Sequence, residues 1–375
     1  MMQAKQNYFP SVENVKVASK NLTGVAIETP LSKNFNLSKE YEATILFKRE
    51  DLQVVRSYKI RGAYNKMSSL TDDEKKRGIV CASAGNHAQG VALSCKLLQT
   101  KGTIFMPSPT PNQKINQVKM FGEDFIEVVL EGDTFDDAFN AAKQACDSKN
   151  KTFIHPFNDE KVIEGQATVG LEILNQTKEK IDYVFVPVGG GGLSAGLSAI
   201  FKDLSPETKI IGVEPEGAPS MQTSIRNKRV TALKKIDSFV DGAAVKKVGT
   251  LNFAICLQNL TEMITVPEGK ICQTILDLYN KDAIVVEPAG ALSIAALAFF
   301  ADKIKGKNVV CIVSGSNNDI TRTAEIKERA LIYANLKHYF IVKFPQRAGA
   351  LKEFVAEILG TNDDITHFEY TKKNN

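Results

Sequence analysis

The chain has 375 residues, 43% of them apolar, which is enough sequence for two to three domains and an ample core. Its 47 Lys and Arg against 43 Asp and Glu leave a net charge of +4 with no like-charge block, which excludes a dedicated nucleic-acid protein with a strong basic patch. The start, Met1-Met2-Gln3-Ala4-Lys5-Gln6-Asn7, lacks the apolar core of a signal peptide, and the longest apolar run, Ala289 to Ala301, is too short to span a bilayer. A cytoplasmic protein with no nucleic-acid and no membrane partner is therefore expected. The six cysteines (Cys81, Cys95, Cys146, Cys256, Cys272, Cys311) form no CxxC pair and read as core thiols of a reducing compartment. The four histidines show no metal spacing, so no metal site is expected.

Residues 11–21 read as an amphipathic helix entered after Pro10, and Thr29-Pro30-Leu31 breaks that pattern. An extended run at 44–48 leads through Arg49-Glu50-Asp51-Leu52-Gln53 into Ser57-Tyr58-Lys59-Ile60-Arg61-Gly62-Ala63. Ser57 is the expected N-cap of a helix reaching about Met67. Lys59 then lies in the first helical turn, at the positive end of the dipole, which disfavours an ammonium. A neutral amine is what Schiff-base chemistry needs. In a lysine-rich chain a solvated surface role is the plain alternative, and only other stretches can displace it.

Strands and helices then alternate. Strands are expected at 79–82, 103–106, 125–130 and 152–154, and helices after residue 87 and at 113–121 and 133–148. The second half repeats the rhythm, with a helix at about 160–175, strands at 183–188, 209–213 and 308–313, and helices at 268–281, 288–303 and 319–337. The stretch 218–260 has no clear period. Short, nearly continuous apolar strands alternating with helices mean an α/β fold whose parallel sheet is covered on both faces. Ligands gather at the carboxyl ends of such strands.

Three turns stand at those ends. Ser83-Ala84-Gly85-Asn86-His87 joins a strand to a helix; its small residues let backbone N–H groups approach an anion, though an ordinary turn has the same composition. Gly189-Gly190-Gly191-Gly192-Leu193 opens a helix at a cost in helix stability, which favours an amide cradle for phosphate. It lacks a Walker lysine, yet Gly190-x-Gly192-x-x-Ala195 with Glu214 ending the next strand also fits a dinucleotide fingerprint. Val313-Ser314-Gly315-Ser316-Asn317 ends the last strand, where hydroxyls either meet a ring nitrogen or cap a helix.

Taken together, these stretches suggest pyridoxal phosphate. With Lys48-Arg49-Glu50-Asp51-Leu52-Gln53 and Ala88-Gln89-Gly90 added, the chain over roughly 15–325 resembles the threonine/serine dehydratases of the fold type II pyridoxal-phosphate enzymes. The resemblance implies two parallel-sheet domains of the tryptophan synthase β kind. The catalytic region would span 1–325, with a smaller subdomain at about 50–155. Lys59 would anchor the cofactor and take the α-proton. Tyr58, where the family usually has Phe, would pack under the cofactor. Asn86 would bond its 3′-oxygen; Gly189, Gly190, Gly191, Gly192 and Leu193 its phosphate; Ser314 its pyridine nitrogen. Ser83, Gly85, Asn86 and His87 would bind the substrate carboxylate. Related racemases carry a serine at position 84, and Ala84 cannot move a proton, so a lyase with little racemase activity is expected.

The implied reaction is L-threonine to 2-oxobutanoate and ammonia, the first step of isoleucine biosynthesis, with L-serine as a secondary substrate and a homodimer or homotetramer as the family's assembly. Glu214, Ala218 and Ser220 stand at the spacing of a cation site in some relatives, but Ser220 is a weaker ligand than a carboxylate. After a linker at 326–337, residues 338–375 read as strand, helix and strand (338–344, 349–359, 365–370). Phe344-Pro345-Gln346-Arg347-Ala348-Gly349-Ala350-Leu351 resembles the start of an ACT-like regulatory domain, about half of one unit, which makes isoleucine a candidate effector. The competing readings are a serine dehydratase or racemase relative, a nicotinamide-dependent oxidoreductase and a non-catalytic amino-acid sensor.

Overall fold

Apolar residues on both sides of a strand require cover on both faces, and the chain folds to supply it. The computed structural model describes residues 8–345 and 347–371. It opens with α1 (Val12–Asn21), β1 (Leu31–Lys33), α2 (Phe35–Glu40), β2 (Thr44–Arg49), a 3-10 turn and α3 (Lys59–Ser68). Next come α4 (Asp72–Arg77), β3 (Ile79–Ala82), α5 (Asn86–Leu97), β4 (Gly102–Met106), α6 (Asn112–Gly122), β5 (Ile126–Leu130), α7 (Phe135–Ser148) and β6 (Thr152–Phe153). Then follow α8 (Glu160–Gln176), β7 (Tyr183–Pro187), α9 (Gly192–Leu204), β8 (Lys209–Pro215), α10 (Ser220–Arg226), α11 (Thr250–Asn259), β9 (Glu262–Val266), α12 (Glu268–Asp282) and α13 (Pro288–Ala295). The chain continues through α14 (Ala301–Ile304), β10 (Asn308–Val313), α15 (Thr323–Tyr333) and α16 (Ala350–Glu357).

Two sheets result. The larger has the order β1-β2-β10-β7-β8-β9, parallel except for the β1–β2 pair; the smaller, β5-β4-β3-β6, is parallel throughout. Strand period 2 sorts β7 between two cores: Tyr183 and Phe185 join one cluster, Val184 and Val186 the other. No helix among the described residues is long and apolar enough to cross a membrane. All six cysteines are free and buried.

Helices α3, α8 and α9 pack as one layer. A Cβ on Gly165 of α8 would stand 2.5 Å from the Arg61 carbonyl oxygen, so a glycine there lets the backbone of α3 come close. Arg61 is 1% exposed and holds Glu50 (2.8 Å) and Glu172 (2.5 Å), while Lys48 meets Glu172 at 2.6 Å. This buried ion network fixes the helix that begins at Lys59 against α8 and β2.

Several sequence expectations change. The 218–260 stretch holds α10 and α11, and an unanticipated edge strand, β9, follows it; its half-exposed, mixed-polarity residues hide it from a hydrophobic pattern. The helix expected over 288–303 breaks after Ala295 into a 3-10 turn and α14, because Phe300 turns into the core edge-on to Phe185 at 5.0 Å. Among its described residues the tail keeps only α16. Residues 338–344 and 365–370 join no ladder among the described residues; Ile341 is 99% exposed and Phe340 77%. A strand needs a partner for its N–H and C=O groups, and neither segment has one among the described residues.

Candidate active site

Lys59 is the first residue of α3, but its cap is not Ser57. Tyr58 stands at the N-cap with no side-chain hydrogen bond. Ser57 instead forms an antiparallel bridge with Gly315, and the Tyr58 N–H donates to the Ser314 carbonyl at 3.3 Å. Pairing with the end of β10 pulls the serine out of capping geometry, and its Oγ is buried without a partner among the described residues. The loop before Lys59 is thereby stitched to the strand-end serine motif. Lys59 Nζ donates to the Pro156 carbonyl at 3.3 Å and lies 5.1 Å from the Tyr58 ring centroid.

The turn after β3 starts α5 at Asn86, with Gly85 as N-cap and Ser83 Oγ accepting from the Gly85 N–H at 3.2 Å. The Asn86 amide is held from both ends. Its Nδ2 donates to Glu287 Oε1 at 2.6 Å, and its Oδ1 accepts from Asn317 Nδ2 at 2.7 Å. Glu287 is buried with no cationic partner in salt-bridge range among the described residues, and burial first, then the Asp241 charge, pushes its carboxyl up to about 7. His87 is 3% exposed, and its ring bonds to the Ile154 carbonyl at 3.0 Å. Burial, followed by the Lys59 charge, pushes its pKa down to about 3, so the ring is neutral and engaged inside the protein. What His87 offers the turn is its backbone.

The tetraglycine turn follows β7. Gly191 is the N-cap of α9 with φ +90°, a left-handed conformation that favours glycine. A Cβ on Gly190 would lie 2.3 Å from the Phe157 ring. The N–H groups of Gly189, Gly190, Gly191, Gly192 and Leu193 have no acceptor among the described residues, although this turn is largely buried. Buried N–H groups are normally paired. Five consecutive free donors at the positive end of a thirteen-residue helix fit an anionic phosphate. Ser314 is 3% exposed, and its Oγ donates to the Ala289 carbonyl at 3.2 Å. Its one proton serves one acceptor at a time, so facing a ring nitrogen as donor requires the hydroxyl to rotate.

Glu214 is buried, and burial pushes it up to about 7. Its oxygens accept from Ser220 Oγ (3.3 Å), the Met221 N–H (2.7 Å) and the Gln222 N–H (2.9 Å). A carboxylate spent on capping α10 has little left for a ribose hydroxyl or a cation, which weighs against the dinucleotide reading. No group of three or more His, Cys, Asp or Glu among the described residues is arranged to hold a metal ion.

Sequence reasoning missed Glu287 and gave Asn317 no role. An acidic residue inside Ile284-Val285-Val286-Glu287-Pro288-Ala289 is the one available signal, since a carboxyl in an apolar run is a buried polar group. It also missed Phe157 and Asn252; Asn252 Nδ2 donates to the carbonyls of Gly190 (2.8 Å) and Phe157 (3.1 Å).

Residues 22–315 match the family model described as pyridoxal-phosphate dependent enzyme, and residues 328–375 that of the C-terminal regulatory domain of threonine dehydratase. The chain is 59% identical over 364 residues to a biosynthetic L-threonine dehydratase of Halalkalibacterium halodurans, covering 97% of this chain and 88% of that protein. It is 56% identical over 371 residues to the enzyme of that name from Bacillus subtilis, covering 99% and 88%. Among solved structures, the processed form of threonine deaminase isoform 2 from Solanum lycopersicum superposes with a TM-score of 0.80 at 40% identity, covering 88% of this chain and 97% of that one.

Proposed function

From the premise that the chain belongs to the pyridoxal-phosphate-dependent enzyme family, we propose that it is a threonine ammonia-lyase. It converts L-threonine to 2-oxobutanoate and ammonia, the entry to isoleucine synthesis, with L-serine as a secondary substrate giving pyruvate. The water lost with the β-hydroxyl is taken back when ammonia is released, so threonine and the two products balance. When bound, the cofactor supplies an electron sink for the charge that develops at the substrate α-carbon.

The observation that carries this reading is the row of unpaired amides from Gly189 to Leu193, tied by shared contacts to Lys59. In it, those five amides hold the phosphate. Lys59 anchors the cofactor and moves the α-proton. Asn86, its amide already oriented by Glu287 and Asn317, keeps a second Nδ2 proton for the ring oxygen. Tyr58 packs beneath the ring and Ser314 meets its nitrogen. Ser83, Gly85, Asn86 and His87 take the substrate carboxylate, His87 through its main chain. Ala84 offers no proton to the opposite face, so elimination outruns racemisation.

The same reading divides the chain into a catalytic region over 1–325 with a subdomain at about 50–155, a linker over 326–337 and a regulatory segment over 338–375. Isoleucine is the effector proposed for that segment, and a cytoplasmic homodimer or homotetramer is the proposed assembly. The exposed Phe35, Leu52, Val54 and Tyr279 are apolar surface that such an assembly would cover.

The test is an absorbance spectrum of purified protein before and after borohydride, with mapping of the labelled residue, followed by a 2-oxoacid assay with L-threonine. A visible band, borohydride fixation on Lys59 and oxoacid formation are expected. A colourless protein that pyridoxal phosphate cannot reconstitute would overturn the proposal.

A further inference from the structure

The turn His155-Pro156-Phe157-Asn158 follows β6 and belongs to none of the motifs above. His155 Nδ1 accepts from two main-chain donors, the Phe157 N–H at 3.2 Å and the Asn158 N–H at 2.9 Å. Only a neutral imidazole with a bare Nδ1 can do this. Burial, helped by the Lys143 charge, pushes the pKa of this ring down to about 4, which keeps it neutral.

Each further residue of the turn touches a different part of the site. The Pro156 carbonyl accepts from Lys59 Nζ at 3.3 Å. The Phe157 ring fills the space a Cβ on Gly190 would need, and the Phe157 backbone lies 3.2 Å from where a Cβ on Gly192 would stand. Asn158 Oδ1 accepts from the Leu251 N–H at 3.0 Å, next to Asn252, which bonds the carbonyls of both Phe157 and Gly190. The His155 ring meets the Phe157 ring edge-on at 4.7 Å. One short turn thus spans from the lysine to the glycine loop, and an imidazole nitrogen sets its shape.

We propose that His155 is a positioning residue whose Nδ1, by accepting two main-chain N–H groups, holds Lys59 and the tetraglycine loop at the separation that one pyridoxal phosphate requires. This rests on the pyridoxal-phosphate reading of the site. His155 acts through Pro156 and Phe157 and does not touch substrate. Without the acceptor, two N–H groups lose their partner and the turn relaxes. The Phe157 ring then no longer backs Gly190, and the Pro156 carbonyl no longer holds the lysine. An asparagine at 155 places its Oδ1 where the imidazole has Nδ1, as in an Asx turn, and preserves the two bonds.

The experiment titrates pyridoxal phosphate into apo-protein of the wild type, His155→Ala and His155→Asn, following the visible band and, separately, the thermal midpoint of each apo-protein. His155→Ala is expected to raise the cofactor Kd by about tenfold or more, while His155→Asn stays within about threefold of wild type. A residue that only supports the fold would lower the midpoint and leave the Kd of the folded fraction unchanged, and that result overturns the proposal. So does a His155→Asn protein as weak as His155→Ala, because ring packing rather than the acceptor would then be responsible. Should His155→Ala not fold, His155→Leu, which keeps a bulky side chain and lacks the acceptor, takes its place: a tenfold loss of cofactor affinity supports the proposal and an unchanged Kd overturns it. Wild-type protein that binds no pyridoxal phosphate would sink the functional reading itself, and this inference with it.

Discussion

Residues 183–187 and 338–344 are both short apolar runs followed by a turn, yet the first is a central strand and the second pairs with nothing among the described residues. Tyr183–Pro187 is flanked by β10 and β8 and buried on both faces. Ile341 and Phe340 lie in water. The sequences do not differ enough to account for this; their surroundings do. A strand is a property of a pair, and its apolar face is stabilising only where another layer covers it. The catalytic region supplies ladder partners and cover from its own length. Around 338–344 and 365–370 the described chain supplies one helix, α16, with Phe344 edge-on to Phe354 at 5.4 Å.

That contrast can be pressed experimentally. The largest effect is expected from Lys59→Ala, which removes the amine proposed to anchor the cofactor: threonine turnover in a 2-oxoacid assay should fall by at least ~10³-fold with the thermal midpoint nearly unchanged. A variant retaining a tenth of the activity would take Lys59 out of the reaction. Arg61→Ala leaves the buried Glu50 without its ion-pair partner and Glu172 with Lys48 alone, and should cost about 3–5 kcal/mol in denaturant unfolding, since breaking a buried pair leaves an uncompensated charge. Gly190→Ala drives a methyl into the Phe157 ring and should cost about 1–3 kcal/mol together with cofactor affinity. Unchanged affinity there would mean that the loop does not cradle the phosphate.

Acid and base effects within the catalytic region should nearly cancel. His87 and His155, at about 3 and about 4 in the folded protein against 6.5 for a free imidazole, stay neutral where the unfolded chain takes up protons. Their contribution is complete above pH 6.5 and is lost as pH falls. Glu214 and Glu287, both at about 7 against 4.5, do the reverse: they keep protons the unfolded chain has released, and their contribution is lost as pH rises from 4.5 toward 7. Glu287→Gln removes one of the two opposing carboxyls. Relative to wild type, its stability should therefore climb with pH between 4.5 and 6.5, measured by urea midpoints across that window; a parallel pair of curves would show that Glu287 is ionised normally.

The smallest effect should come from the tail. Ile341→Ser replaces a side chain that is 99% exposed and should move the thermal midpoint by less than about 2 °C. A larger drop would mean that this face is covered in solution.

Much of the site was readable because its chemistry sits on turns with unusual composition. Four successive glycines, a lysine opening a helix and a Ser-Gly-Ser-Asn strand end stand out in a list of residues. Glu287 and His155 do not, because their importance comes from partners distant in sequence: Asn86 is 201 positions from Glu287, and Lys59 lies 97 positions from Pro156 in the His155 turn. Ser57 misled for the same reason, since its pairing with Gly315 overrides its capping preference.

By itself the sequence determined the alternation of buried strands and helices, a lysine in the first turn of a helix and a tetraglycine turn at a strand end, because periodicity and glycine content are local properties of a chain. Tertiary structure alone decided that Glu214 caps α10, that the His87 ring turns inward and that the tail's apolar runs form no ladder among the described residues. Each of those outcomes depends on which donor, acceptor or layer arrives from elsewhere in the chain, and a buried polar group or strand edge takes its role from the partner it meets.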